Sequence, residues 1–125
     1  ADVTGVQTCV LPIYKLENFY RGWFLGNFEP SIFKTENFEV GVLKHEKGEE
    51  WAPHYHTATE INYIISGQLK MHERVLTEGD IFVMEPYEVA NPEFLTDCQV
   101  LVIKTPSIPG DKYLAEKPDN KERLL

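Results

Sequence analysis

The sequence is short of cysteine: Cys9 and Cys98 are the two thiols in 125 residues, with no CxxC pattern. A disulfide framework and a zinc ribbon are excluded, because each needs several closely spaced cysteines. Cations are scarce as well, with 12 Lys and Arg against 20 Asp and Glu, for a net charge of -8. No run of Lys or Arg relieves that surplus, and an acidic surface repels phosphate backbones and anionic membranes. Nucleic acid and membrane are therefore excluded as partners. No apolar stretch nears the roughly 18 residues needed to span a bilayer. No charged segment leads into an apolar signal core, so the reading is a cytoplasmic chain in a reducing compartment. A Gly-rich phosphate loop, a serine nucleophile elbow and a helical HExxH are also missing.

What remains is enough for one domain. Apolar residues make up 42% of the chain and aromatics 12%, sufficient for a packed core. Residues 1–13, ADVTGVQTCVLPI, carry no periodicity and no helix cap. They resemble a translated sequencing adapter, a contaminant of metagenomic assemblies, and are read as a non-native leader. Cys98 is then the sole native thiol. The domain is expected over 14–116, followed by a polar tail at 117–125.

Short apolar runs alternate with turn signals through that domain. Tyr14 to Ser31 is aromatic-rich and broken by Gly22, Gly26 and Pro30, which suggests an irregular leading segment. Phe38, Val40 and Val42 alternate with Glu39 and Gly41, the period-two mark of a half-buried strand. Ile61 to Ile65 is a β-branched run closed by Ser66-Gly67, and Leu69, Met71 and Glu73 alternate with Lys70, His72 and Arg74. Ile81 to Met84 and Cys98 to Ile103 read as buried strands stopped by Pro86 and Pro106. Nothing from Thr35 to Pro106 sustains a helical period, so the expectation is an all-β sandwich or barrel.

The chemistry concentrates in one stretch, Gly48 to Glu60. His54 and His56 fall one residue apart on an extended segment. Alternate strand residues share a face, about 6.6 Å apart at Cα, so both imidazoles can lean on one metal at about 2.0–2.1 Å. Glu60, after the turn at Thr57 to Thr59, offers a carboxylate from the next strand. Two neutral nitrogens and one carboxylate leave positions open, which suits Fe(II), Mn, Ni or Zn. By spacing alone the pair more often describes two surface histidines on one face.

The full spacing is more specific. Gly48, five residues, His54-x-His56, three residues, Glu60, six residues and Gly67 resembles the first motif of the cupin superfamily. Gly79-Asp80-Ile81-Phe82-Val83-Met84-Glu85-Pro86 resembles its second motif. The likeness covers roughly 33–107 and implies a double-stranded β-helix, a jelly-roll barrel around a pocket. It also implies one divalent metal on His54, His56 and Glu60, and a homodimer. Many cupins carry a histidine as fourth ligand five residues after the second-motif proline. Ungapped counting from Gly79 places Ala90 there, beside Asn91 and Pro92. The expected centre is three protein ligands plus water, or Asn91 if the register slips by one.

Other residues have two readings each. Asn62 shares the face of Glu60, to bond across the barrel or to touch substrate. Tyr55 and Trp51 flank the ligands, to stack on a sugar or to pack between sheets or subunits. Lys104 ends a buried strand and is read as snorkelling, with a positive charge for a carboxylate or phosphate as the alternative. His72 and His45 are read as solvent-facing, and Cys98 as a small core residue. Substrate contacts are assigned to Asn62, Asn91 and Tyr55. The resulting function is a small metalloenzyme acting on a sugar-like or oxo-acid molecule, an isomerase, epimerase or dioxygenase. Its rivals are a non-catalytic carbohydrate- or acid-binding cupin and a metal-free sugar-nucleotide epimerase-like cupin. The last needs an acid-base pair, for which Tyr63, Tyr87 and Asp97 are the candidates.

Overall fold

The computed structural model describes residues 10–115; Cys9, most of the leader and the tail at 117–125 lie outside them. Two short 3-10 turns, Leu16–Asn18 and Tyr20–Gly22, lead into ten strands. These are β1 (Trp23–Leu25), β2 (Glu39–His45), β3 (His54–Tyr55), β4 (Thr59–Ser66) and β5 (Gln68–Met71). They continue with β6 (Arg74–Thr77), β7 (Ile81–Met84), β8 (Glu93–Phe94), β9 (Cys98–Thr105) and β10 (Tyr113–Leu114). An antiparallel five-stranded sheet in the order β1-β2-β9-β4-β7 faces a three-stranded sheet, β6-β5-β8, and a two-stranded one, β10-β3. The all-β jelly-roll expectation holds. No helix among the described residues is long and apolar enough to cross a membrane.

The core lies between the sheets. Ile64, Leu69, Met84, Phe94, Cys98, Val100 and Val102 are its buried members. Ile64 and Leu69 lose almost all contact with water, and each contributes about 1.5–3 kcal/mol by that burial. Alternation along β4 works as read: Asn62 and Ile64 turn inward, while Tyr63 and Ile65 face out. Gly67, joining β4 to β5, has φ +95°, and a Cβ there would collide with the Asp97 carbonyl and Cys98 Sγ. That position of the motif is thereby confined to glycine by both conformation and space.

Three local expectations are corrected. On β2 the inward residues are Glu39 and Gly41, not the valines. Gly41 pairs with Trp23 of β1 and leaves room for the indole, since a Cβ would sit 2.9 Å from that ring. Val40 and Val42 turn to an outer face that is itself apolar, opposite Ile103 and Leu101 of β9. The second correction falls after Met71. His72 and Glu73, both at positive φ, turn the chain into a hairpin, so Arg74 opens β6 instead of extending β5. The third is His45, which is not solvent-facing. Its ring stacks on Phe94 at 4.0 Å and its Nδ1 meets Glu49 at 2.8 Å. His72 is exposed, as expected, with Nε2 2.6 Å from the Val89 carbonyl.

Candidate metal and substrate site

One end of the barrel gathers nearly all the buried charge. A single row across the large sheet runs Glu39, Lys104, Glu60 and Met84, on β2, β9, β4 and β7. Adjacent to it, β3 turns His54 inward; its backbone N–H and carbonyl bond the Ala90 carbonyl and N–H at 3.0 and 2.7 Å. His56 follows on the same side of the strand, its carbonyl accepting from the Tyr87 N–H at 2.8 Å. The two imidazoles stand edge to face, centroids 5.2 Å apart. His56 Nδ1 lies 3.3 Å from Glu60 Oε1. Donor atoms at right angles around an ion at about 2.1 Å are themselves roughly 3 Å apart, so this contact suits a shared cation.

Protonation favours the same use. The Ala52 carbonyl, 2.9 Å from His54 Nδ1, fixes that nitrogen as the donor and leaves Nε2 a free lone pair. Burial lowers the His54 pKa, against the raising effect of Ala52. Burial, with Lys104 and His54 nearby, lowers that of His56 to about 4. Both rings are thus neutral at pH 7. Desolvation raises the Glu60 carboxyl above its ordinary value, and Asn62 and Lys104 offset part of that rise. Even so, no three His, Cys, Asp or Glu side chains among the described residues are drawn together as one metal-holding group. His54, His56 and Glu60 share the inward face, and closing all three on one ion requires side-chain movement.

Asp111 holds the turn between His56 and Glu60. Its Oδ1 accepts from the Thr57 N–H at 2.8 Å and the Thr57 hydroxyl at 2.7 Å, and its Oδ2 from the Ala58 N–H at 2.9 Å. Burial alone would raise the Asp111 pKa; those donors, with Lys104, outweigh it and hold the carboxyl low. Lys104 does not snorkel. It is buried, donates to the Asp111 carbonyl at 3.2 Å, and lies 3.7 and 3.9 Å from the carboxylates of Asp111 and Glu39. Glu39 in turn accepts from the Ser107 hydroxyl at 2.7 Å. Among the described residues the interior thus holds three carboxylates, Glu39, Glu60 and Asp111, against one ammonium, that of Lys104. When all are ionised the excess is negative, an imbalance that a divalent cation offsets.

The remaining assignments divide. Asn62 is in the site: only 4% exposed, with its Nδ2 lacking any hydrogen-bond partner. It lies near the Glu60 carboxylate without reaching hydrogen-bonding geometry. Tyr55 turns away from the histidines and stacks on Tyr113 at 5.3 Å. Ala90 is buried against His54 and offers no donor atom, while Asn91 is exposed and borders a separate cleft with Lys70 and His72. Alternation puts one residue of that pair inside, and it is the alanine. Tyr63 and Tyr87 are exposed, and Asp97 lies at the surface accepting from the Lys47 N–H. The acid-base pair of the metal-free reading is therefore not inside the barrel. Trp51 is at the mouth, with Lys112 Nζ 3.4 Å and Arg21 Cζ 5.4 Å from its ring centroid.

This architecture recurs in solved structures. A protein with a double-stranded β-helix domain from Klebsiella pneumoniae superposes with TM-score 0.62 at 21% identity, covering 84% of this chain and 92% of that one. An RmlC-like cupin from Shewanella frigidimarina gives TM-score 0.55 at 20% identity, over 60% of this chain and 71% of the other. The chain has the cupin fold. The cupin barrel is also shared by the DMSP lyase DddQ from Ruegeria pomeroyi, with TM-score 0.64 and 19% identity over 74% of this chain. The chain spans about half of that enzyme, 49% of its length. No protein-family model and no curated protein matches the sequence. Sequence reasoning missed Glu39 and Asp111 inside this cupin-fold barrel and the exposed Lys112 at its end; alternation with Gly41 was the one available signal, for Glu39.

Proposed function

We propose that this chain is a small metalloenzyme that acts on a polar small molecule through one divalent ion held by His54, His56 and Glu60. The observation that carries the reading is the placement of the buried His54 and half-buried His56 imidazoles, both neutral, and a desolvated carboxylate beside an interior with more carboxylates than cations among the described residues. When bound, the ion supplies Lewis acidity toward a substrate oxygen. The chain's own residues do the rest. Ala52 fixes the His54 tautomer, Asp111 fixes the turn that separates His56 from Glu60, and the Thr57 and Ala58 donors, with Lys104, keep that Asp ionised. Ala90, at the position where a fourth ligand would stand, leaves room for water or substrate. A DMSP lyase shares the fold, so the barrel is compatible with a catalytic role.

A homodimer and a cytoplasmic setting complete the proposal. The outer face of the large sheet is apolar, with Ile81 66% and Val83 45% exposed on its edge strand and Tyr63 beside them. Such a patch suits a second copy of the chain.

Metal analysis of protein prepared without a nickel column tests the metal reading. Near-stoichiometric Fe, Mn, Ni or Zn, lost in His54→Ala and Glu60→Ala, is the expected result. A wild-type protein that stays metal-free after incubation with each ion overturns it. Bound metal with no turnover of sugar or oxo-acid substrates leaves the binding-protein reading in its place.

A further inference from the structure

The acidic chain concentrates cations where it has the strongest reason to avoid them. Of its 12 Lys and Arg, Lys104 lies inside the barrel end, and Lys112 and Arg21 sit together on Trp51 at the mouth. Like charges repel, and Lys112 feels both Arg21 and Lys104 as well as Glu60. Lys104 is fully engaged with Asp111 and Glu39. Lys112 and Arg21 have no ion-pair partner among the described residues. Two neighbouring cations without an ion-pair partner among the described residues raise the local positive potential and draw in anions.

A second observation points to the same occupant. Asn62, two positions along β4 from Glu60, presents an amide N–H with no acceptor although it is only 4% exposed. A buried donor left unpaired costs about 1–3 kcal/mol, and a ligand oxygen removes that cost. With a divalent ion inside, the interior charge is close to balanced and the rim cations are left in surplus.

We propose that the site selects a small carboxylate with an adjacent oxygen, Lys112 reading the negative charge and Asn62 Nδ2 donating to a ligand oxygen. Arg21 assists Lys112 by adding to the same field. The charge balance rests on the metal reading; the roles of Lys112 and Asn62 do not require it.

Calorimetric titration with glycolate and its neutral isostere glycolamide tests this, with metal content measured on each sample. Glycolate is expected to bind wild type about tenfold or more tightly than glycolamide. Lys112→Gln, a change at an exposed position, lowers that preference for glycolate to what a bound ion alone supplies, and removes it in chelator-treated protein. Asn62→Ala weakens both probes, and in wild type the Asn62 side-chain amide resonance shifts on titration with either. Metal-loaded protein that binds both probes equally, or a Lys112→Gln variant that keeps the full preference, overturns the inference and leaves the metal reading standing. A metal-free protein that still shows a Lys112-dependent preference supports the inference and overturns the metal reading alone.

Discussion

Removing the Asp111 carboxylate unties the turn that sets His56 and Glu60 apart. In Asp111→Ala, the Thr57 N–H, the Thr57 hydroxyl and the Ala58 N–H all lose their acceptor, and Lys104 loses an ionic partner 3.7 Å away. Hydrogen bonds to a charged acceptor contribute about 1.5–3 kcal/mol each. They are not additive, and removing one side of a buried charged pair costs about 3–5 kcal/mol as a whole. For a domain of this size each kcal/mol lowers Tm by roughly 4 °C, so a fall of about 12–20 °C is expected in a calorimetric scan. Asp80→Ala is the control. Asp80 makes the same kind of bond, to the Thr77 N–H at 2.7 Å, but in an exposed turn. Water replaces it there, and the expected cost is about 0.5–1 kcal/mol. Equal Tm losses in the two variants would refute the assignment of Asp111 as the buried anchor of the site.

Acid should destabilise the metal-free protein. His56 is held to about 4 in the folded state against an ordinary 6.5, so the unfolded chain binds more protons between those values and stability falls as pH drops through that window. The His56 contribution is about 3 kcal/mol; Glu60, raised, opposes it, and Asp111, lowered, adds a further loss at lower pH. Urea unfolding of chelator-treated His56→Gln should show a flatter acid limb than wild type. Gly67→Ala should cost more than Gly79→Ala, because both glycines have positive φ but only Gly67 would drive a Cβ into neighbouring atoms. About 1 kcal/mol is expected at Gly79 and at least twice that at Gly67, by denaturant midpoint. Val83→Lys on the exposed edge strand should shift sedimentation from dimer to monomer while leaving metal content unchanged.

Much of the barrel was legible because its strands follow simple alternation. The Ile61 to Ile65 run told its inward face from its outward one, and the Gly48-to-Gly67 spacing marked His54, His56 and Glu60. What stayed hidden shares a physical cause. Glu39, Lys104 and Asp111 are charged, and charge reads as solvent unless its partner is known. Most of those partners lie far along the chain, as with Ser107 and Glu39, 68 residues apart. The apolar outer face misled the reading of β2 for a related reason: a strand apolar on its outer side gives the wrong phase. The turn at His72 and Glu73 left no trace, since neither residue is a usual occupant of positive φ.

The most direct measurement is anomalous diffraction from crystals of the protein loaded with Mn²⁺. A single strong peak about 2.0–2.2 Å from nitrogens of His54 and His56 and from a Glu60 oxygen is the predicted result. A map with no peak inside the barrel, or with Mn²⁺ held only by surface carboxylates, would contradict the account.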